Sequence, residues 1–283
     1  MTELRRRFIR DLEIKNFAAH TIKNYVSAIE KLAKHYKKCP SELSEEALKD
    51  YLGKIVSQKK SWSHVNIIQS AMKKLYIGTL NQEYKVSKIT RPKVEHKVKS
   101  IISRQEIEKL FDSCNNIKHK VIFMTMYGCG LRVSEVTNLM AKDIDSARMV
   151  IQVKNPKGHC EREVLMPPEL LNWLRQLYKE QPTKEYLFRG QGSNLHITER
   201  TVQAIFQQRI KQAGILKKVS THDLRHTHTT HSIEEGSDLI AVQKNLGHQS
   251  IKTTLGYYHL TTKLQKTLIS PLSTLPKYGK GGI

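Results

Sequence analysis

Apolar residues recur at helical spacing through most of the first eighty residues and then stop, and this break constrains the fold more than any other feature. Ile22, Tyr25, Val26, Ile29, Leu32 and Tyr36 form one stripe after Thr21. Ala47, Leu48, Tyr51, Leu52 and Ile55 form a second after Glu45-Glu46, and Val65, Ile68, Met72, Leu75 and Tyr76 form a third from near Ser63. Positions three and four apart share a helix face, so each stripe predicts an amphipathic helix with one buried side. A further helix is expected around Phe8 to Ile14. Between about Asn81 and Ser100 the periodicity fades, and Lys85, Lys88, Arg91, Pro92, Lys93, Lys97 and Lys99 accumulate as a basic connecting stretch. Ser103-Arg104-Gln105-Glu106 then has the Ser-x-x-Glu form of a capping box ahead of Ile107, Leu110 and Phe111. The expected organisation is a helical domain at 1–84, a linker at 85–100 and a second domain at 101–283.

The second domain reads as helical except for two strand-like runs, Met149–Val153 and Glu163–Met166. They flank Asn155-Pro156-Lys157-Gly158, which predicts a hairpin with Lys157 at its tip. The fold class is therefore mainly α with a small β-sheet or hairpin, in two domains. A chain of 283 residues is long enough to bury two separate cores. Cys39, Cys114, Cys129 and Cys160 lack Cys-x-x-Cys spacing, so neither a zinc site nor a disulfide framework is indicated, and a reduced compartment is the default. Arg5-Arg6-Arg7 opens a mixed basic stretch, and no apolar run approaches membrane length, so a soluble, cytoplasmic, nucleoid-associated protein is expected.

Charge points to the partner. Lys and Arg number 48 against 26 Asp and Glu, a formal net charge of +22. Such an excess suits a protein that neutralises phosphates along a nucleic acid duplex. Both parts are basic, so double-stranded DNA is expected to touch both. Lys23, Lys31, Lys34, Lys37, Lys59, Lys60, Lys73 and Lys74 fall outside the apolar stripes of the first domain, where they can grip phosphates.

The chemistry is carried by dispersed residues that keep a fixed order: Gly130-Leu131-Arg132, then Thr221-His222-Asp223-Leu224-Arg225-His226, then Leu246-Gly247-His248, then Tyr257. Displacement at a phosphodiester builds negative charge on the non-bridging oxygens. Arginine answers that charge with a planar, permanently cationic fork. Arg132 and Arg225 would clamp the phosphate, and His222 and His248 would add donors at the same centre. Tyr257 would be the nucleophile, its phenol helped to ionise by the surrounding cations. A sugar 5′ oxygen is a poor leaving group and calls for a general acid, for which Lys157 is the candidate and Lys154 the alternative. Tyr258 directly follows Tyr257 and is the rival nucleophile.

This set resembles the tyrosine recombinases, the lambda integrase family, over most of the chain. Gly128 to Glu135 is similar to the family's first arginine box, Val150 to Pro167 to its lysine-bearing hairpin, and His222-Asp223-Leu224-Arg225-His226 to its His-x-x-Arg box. Leu246-Gly247-His248 with Thr253-Thr254 and Tyr257 is similar to the end of that region. The resemblance implies an active site of Arg132, Lys157, His222, Arg225, His248 and Tyr257. It further implies a SAM-like core-binding domain followed by a catalytic domain, and a 3′-phosphotyrosine intermediate. Specific recombination sites would each hold a dimer of the protein, with a homotetramer in the synapse, and strand exchange would pass through a Holliday junction. No cofactor and no metal are implied, because the phosphotyrosine ester conserves the energy of the broken bond. A Xer-like, integron-like or mobile-element recombinase is the expected type.

Two other readings compete. A type IB topoisomerase would use a similar residue set as a monomer, whereas a non-catalytic DNA-binding protein would explain the charge and the helices but leave the residue set unexplained. The run His226-Thr227-His228-Thr229-Thr230-His231 also invites a metal reading, although no cysteine pair or carboxylate-rich partner accompanies it.

Overall fold

The computed structural model describes residues 2–59, 61–87, 89, 100–154, 162–183, 185–190 and 196–247. The chain divides into two compact units, Met1–Lys97 and Val98–Ile283.

The first unit contains α1 (Glu3–Ile14), α2 (Ala19–Tyr36), α3 (Glu45–Ser57) and α4 (Trp62–Gly78). Helix α1 begins earlier than its apolar pattern predicts, because Glu3 to Arg7 is largely charged and only Leu4 continues the Phe8–Leu12 stripe. Ser44 and Ser61 accept hydrogen bonds from the amides of Ala47 and His64, which fixes the starts of α3 and α4. Helix α2 packs on α1 and α4, and α3 on α4, around Phe8, Leu12, Leu32, Leu48, Met72, Leu75 and Tyr76. Thr79 closes the far end: its hydroxyl donates to Asp11 at 2.7 Å, while Arg7 donates to its carbonyl at 3.1 Å.

Lys85, grouped by sequence with the basic connecting stretch, is instead buried. Its ammonium donates to the Ser41 carbonyl at 3.0 Å and lies 5.9 Å from the rings of Tyr76 and Tyr84. Val86 and Ile89 join the same core. Lys23, Lys31, Lys34, Lys37, Lys59 and Lys74 are exposed, and Lys73 is half-buried. Lys60 lies outside the described residues.

The second unit contains α5 (Arg104–Asp112), α6 (Ile117–Gly128), α7 (Val133–Thr137), α8 (Pro168–Glu180), α9 (Glu199–Gln212), α10 (Thr221–Glu234) and α11 (Leu239–Leu246). A small antiparallel sheet joins them: β1 (Ile144–Asp145), β2 (Val150–Val153) and β3 (Arg162–Leu165), in that spatial order. Strand β1 is an addition to the expected hairpin. Two residues carry too little pattern to read alone, and β1 exists through pairing of Ile144 with Ile151 and Asp145 with Val150.

The capping box at Ser103 forms as expected, with reciprocal bonds between Ser103 and Glu106. Helix α6 is apolar on nearly every side and sits at the centre, against α8 and α10. Phe123 of α6 meets Phe206 of α9 edge to face, with centroids 5.5 Å apart. Helix α10 buries four threonines, Thr221, Thr227, Thr229 and Thr230. The Thr227 hydroxyl accepts the Ile102 amide at 3.1 Å, and the Thr229 hydroxyl donates to the Arg225 carbonyl at 2.8 Å. The first bond ties the helix that carries His222 and Arg225 to the start of the unit; the second lies within that helix, which packs against α6.

Candidate active site

Arg225 lies in the buried face of α10, its side chain only 2 % exposed. A cation so enclosed needs partners for its N–H groups, and it has them. Nη1 donates to the Gly130 carbonyl at 2.7 Å and Nη2 to the Leu246 carbonyl at 2.6 Å. Leu246 is the last residue of α11, where carbonyls lack intrahelical donors and the helix end favours positive charge.

Gly130 makes this approach workable. Its φ of +64° is a left-handed conformation, and a β-carbon there would lie 2.6 Å from both the His228 ring and the Leu246 side chain. The turn it forms leads to Arg132, the residue preceding α7. The Arg132 amide and Nη1 donate to Glu135 at 2.8 and 2.9 Å.

Glu135 is the hub of the arrangement. Its carboxylate also receives both terminal nitrogens of Arg162, each at 2.9 Å, and lies 3.8 Å from Nη1 of Arg225. Burial alone would raise its pKa. The hydrogen bonds and charge of Arg162, together with the amide and charge of Arg132, outweigh that and hold the carboxyl below its ordinary value. One carboxylate thus arranges three guanidinium groups from three elements.

His222 begins α10 on the exposed side. It shares with Arg132 a cleft of about 500 Å³, also lined by Ser134, Gln203, Gln207 and Ser220. Its ring lies 4.5 Å from that of His226, nearly perpendicular to it. The start of α10 is fixed by Asp223, whose carboxylate accepts the amide and hydroxyl of Ser220 at 2.7 and 2.8 Å. The structure therefore brings Arg132, His222 and Arg225 to one region. Lys157, His248, Tyr257 and Tyr258 lie outside the described residues.

Lys154, the alternative general acid, donates to the Asp143 carboxylate at 2.8 Å. Asp143 is itself buried and accepts the Met140 amide at 2.9 Å. The other histidines of the run point to separate partners. His228 packs beneath Gly130, and burial pushes its pKa down to about 4. Nδ1 of His231 is hydrogen-bonded to the Tyr127 hydroxyl at 2.9 Å. Among the described residues, no three His, Cys, Asp or Glu side chains converge as metal ligands, and no helix is long and apolar enough to cross a membrane.

The sequence places Glu135 at the end of the first arginine box and Arg162 just after the predicted hairpin tip, with no role of its own for either. A signal for Arg162 was present. Strand side chains alternate, so Arg162 falls in phase with Val164, which is fully buried, and must face inward with it.

Residues 100–263 match the Phage integrase family, and residues 4–86 match the family described as Phage integrase, N-terminal SAM-like domain. A Sinorhizobium fredii protein described as an integrase/recombinase is 32% identical over 98% of this chain and 91% of its own length. Tyrosine recombinase XerA of Pyrococcus furiosus is 29% identical over 97% of this chain and 95% of its own. A crystal structure of XerA recombinase aligns with a TM-score of 0.54 at 26% identity, covering 93% of this chain and 95% of that one. The Tn1549 transposon integrase, solved with circular intermediate DNA, aligns with a TM-score of 0.74 at 18% identity, covering 94% and 98%, and shares the fold. The chain belongs to the phage integrase family and is a tyrosine recombinase, an enzyme of site-specific DNA recombination.

Proposed function

We propose that Arg132, Lys157, His222, Arg225, His248 and Tyr257 form the active site of a recombinase that acts on specific sites in double-stranded DNA. The Tyr257 oxygen attacks the scissile phosphorus as its phenol passes a proton to water. The bond from phosphorus to the 5′ oxygen breaks, and Lys157 delivers a proton to that oxygen. The products are a 3′-phosphotyrosine ester and a free 5′ hydroxyl. Rejoining is the reverse reaction, with a 5′ hydroxyl from the partner duplex as nucleophile. Arg132 and Arg225 hold the non-bridging oxygens throughout, and His222 and His248 donate to them.

The observation that carries this reading is Arg225, buried and anchored by two backbone carbonyls, one of them that of Gly130 in the turn leading to Arg132. A guanidinium already fixed in place stabilises developing charge without reorganisation. The pairing of Lys154 with Asp143 favours Lys157 as the acid. In the same reading the core-binding domain runs from residue 1 through Ile89, which its core includes, a basic linker follows to residue 100, and 101–283 is the catalytic domain. A homodimer occupies each recombination site and a homotetramer forms the synapse. The setting is the cytoplasm, at the nucleoid.

The test is covalent capture on nicked duplexes drawn from a random-sequence pool. Wild-type protein and Tyr258→Phe should form a protease-sensitive adduct on the 3′ phosphate, and Tyr257→Phe should bind DNA without forming one. The reverse pattern would transfer the role to Tyr258. An adduct in both single variants would refute the assignment.

A further inference from the structure

Strand β3 carries a charged residue on the face that should be apolar. Arg162 shares its side of the sheet with Val164, and its side chain is only 14 % exposed. It uses three N–H groups in two directions. The terminal pair grips both oxygens of Glu135 at 2.9 Å, and Nε donates to the Asn245 carbonyl at 3.0 Å in the last turn of α11. Asn245 returns a bond to the same strand, its side-chain oxygen accepting the Leu165 amide at 3.0 Å. The next turn of chain is fitted to this side chain as well: a β-carbon on Gly247 would lie 2.9 Å from Cδ of Arg162.

Arg162 does more than help keep Glu135 charged. What Arg162 adds is orientation. A carboxylate held by one contact can rotate about its terminal bond, whereas a bidentate guanidinium fixes the plane of both oxygens. One of those oxygens accepts Nη1 of Arg132, and the other accepts the Arg132 amide and faces Arg225. Through Nε the same guanidinium also holds the turn whose final carbonyl, that of Leu246, receives Arg225.

We propose that Arg162 is a positioning residue for strand cleavage, locking the Glu135 carboxylate and the end of α11 together so that Arg132 and Arg225 are aimed at one phosphate. The proposal rests on the active site described above, and it places Arg162 behind that site, out of contact with the reacting atoms. Misplacing a catalytic group by about 1 Å can cost about 100-fold in rate.

The experiment measures single-turnover cleavage at saturating protein, using a nicked duplex recovered by covalent capture. Half-site affinity is read by gel shift and folding by circular dichroism. Arg162→Ala should slow cleavage about 100-fold and leave half-site affinity unchanged. Arg162→Lys keeps the charge but not the fork, so its rate should fall between the two. In a Glu135→Gln background Arg162→Ala should add little further loss, because both changes break the same link. Wild-type cleavage by Arg162→Ala, equal losses of affinity and rate, or full additivity with Glu135→Gln would each overturn the proposal. If Arg162→Ala does not fold, Arg162→Lys decides: slow cleavage by a folded protein supports the proposal, and a normal rate overturns it. Unfolding of both variants also overturns it, by assigning Arg162 to stability alone. Arg225→Ala is the control. If that variant cleaves normally, the active-site reading is at fault; if it is inactive while Arg162→Ala is normal, only the positioning role falls.

Discussion

Glu135→Gln tests the hub by changing one charge at constant shape. In the native protein the Glu135 side chain is 9 % exposed and accepts four hydrogen bonds from two arginines. Glutamine keeps one acceptor oxygen but turns an NH₂ donor toward a guanidinium, so at least one N–H pair loses its partner and Arg162 and Arg225 lose their shared counter-charge. Removing one partner of a buried ion pair costs about 3–5 kcal/mol. The lower end applies, since the Arg132 side chain is 41 % exposed and keeps water. For a unit of this size about 3 kcal/mol corresponds to a fall in Tm of about 6–12 °C. Calorimetry of the intact chain should show this fall in the transition of residues 98–283 and none in that of 1–97. The difference should depend on pH in a defined direction. Because the folded carboxyl titrates below its ordinary value, its stabilisation is complete at neutral pH and lost as pH falls through the folded pKa. Glutamine does not titrate, so the gap between the two proteins should close under acid. A Tm within about 2 °C of wild type, or a gap that persists under acid, would refute the hub.

His228 is held neutral with a pKa near 4, so the unfolded chain binds more protons between that value and about 6.5. Stability should be complete above about pH 6.5 and decline as pH falls toward 4, and His228→Gln should flatten this part of a denaturant-midpoint profile. Gly130→Ala should lose about 3 kcal/mol by chemical denaturation, combining left-handed strain with displacement of His228 and Leu246, and should slow cleavage by moving the carbonyl that holds Arg225. Lys154→Met removes a counter-charge from the buried Asp143 carboxylate, so it should cost about 3 kcal/mol, and it should cleave normally. Lys157→Ala should be strongly slowed and then restored by a 5′-bridging phosphorothiolate, whose sulfur leaves without a proton.

What could be read from the sequence was what short-range physics decides. The start of α5 follows from the Ser103 capping box, whereas the Ser44 and Ser61 caps that begin α3 and α4 were not singled out by the apolar stripes. The apolar stripes of α2 and α4 are one-dimensional records of a face. Arg132, His222 and Arg225 stood out because phosphate chemistry calls for those side chains. Features decided by distant partners were hidden. Lys85 looks like linker charge until Ser41, 44 residues away in sequence, supplies its acceptor. Strand β1 has no pattern apart from β2. Glu135 reads as ordinary helix-start acidity, and only the fold brings Arg162, 27 residues later, into its plane.

The order of the elements along the chain has a consequence for synthesis. The first unit's core is complete by Ile89, so it can fold while the remainder is still being translated. The guanidinium of Arg225 and the carbonyl of Leu246 that receives it arrive late. At about 5–20 residues per second, the stretch from the end of the first unit to Leu246 takes roughly 7 to 30 s to make. Throughout that interval the nascent polypeptide lacks the bond from Arg225 to the Leu246 carbonyl. Premature termination anywhere in it leaves a fragment in which Arg225 lacks its Leu246 anchor.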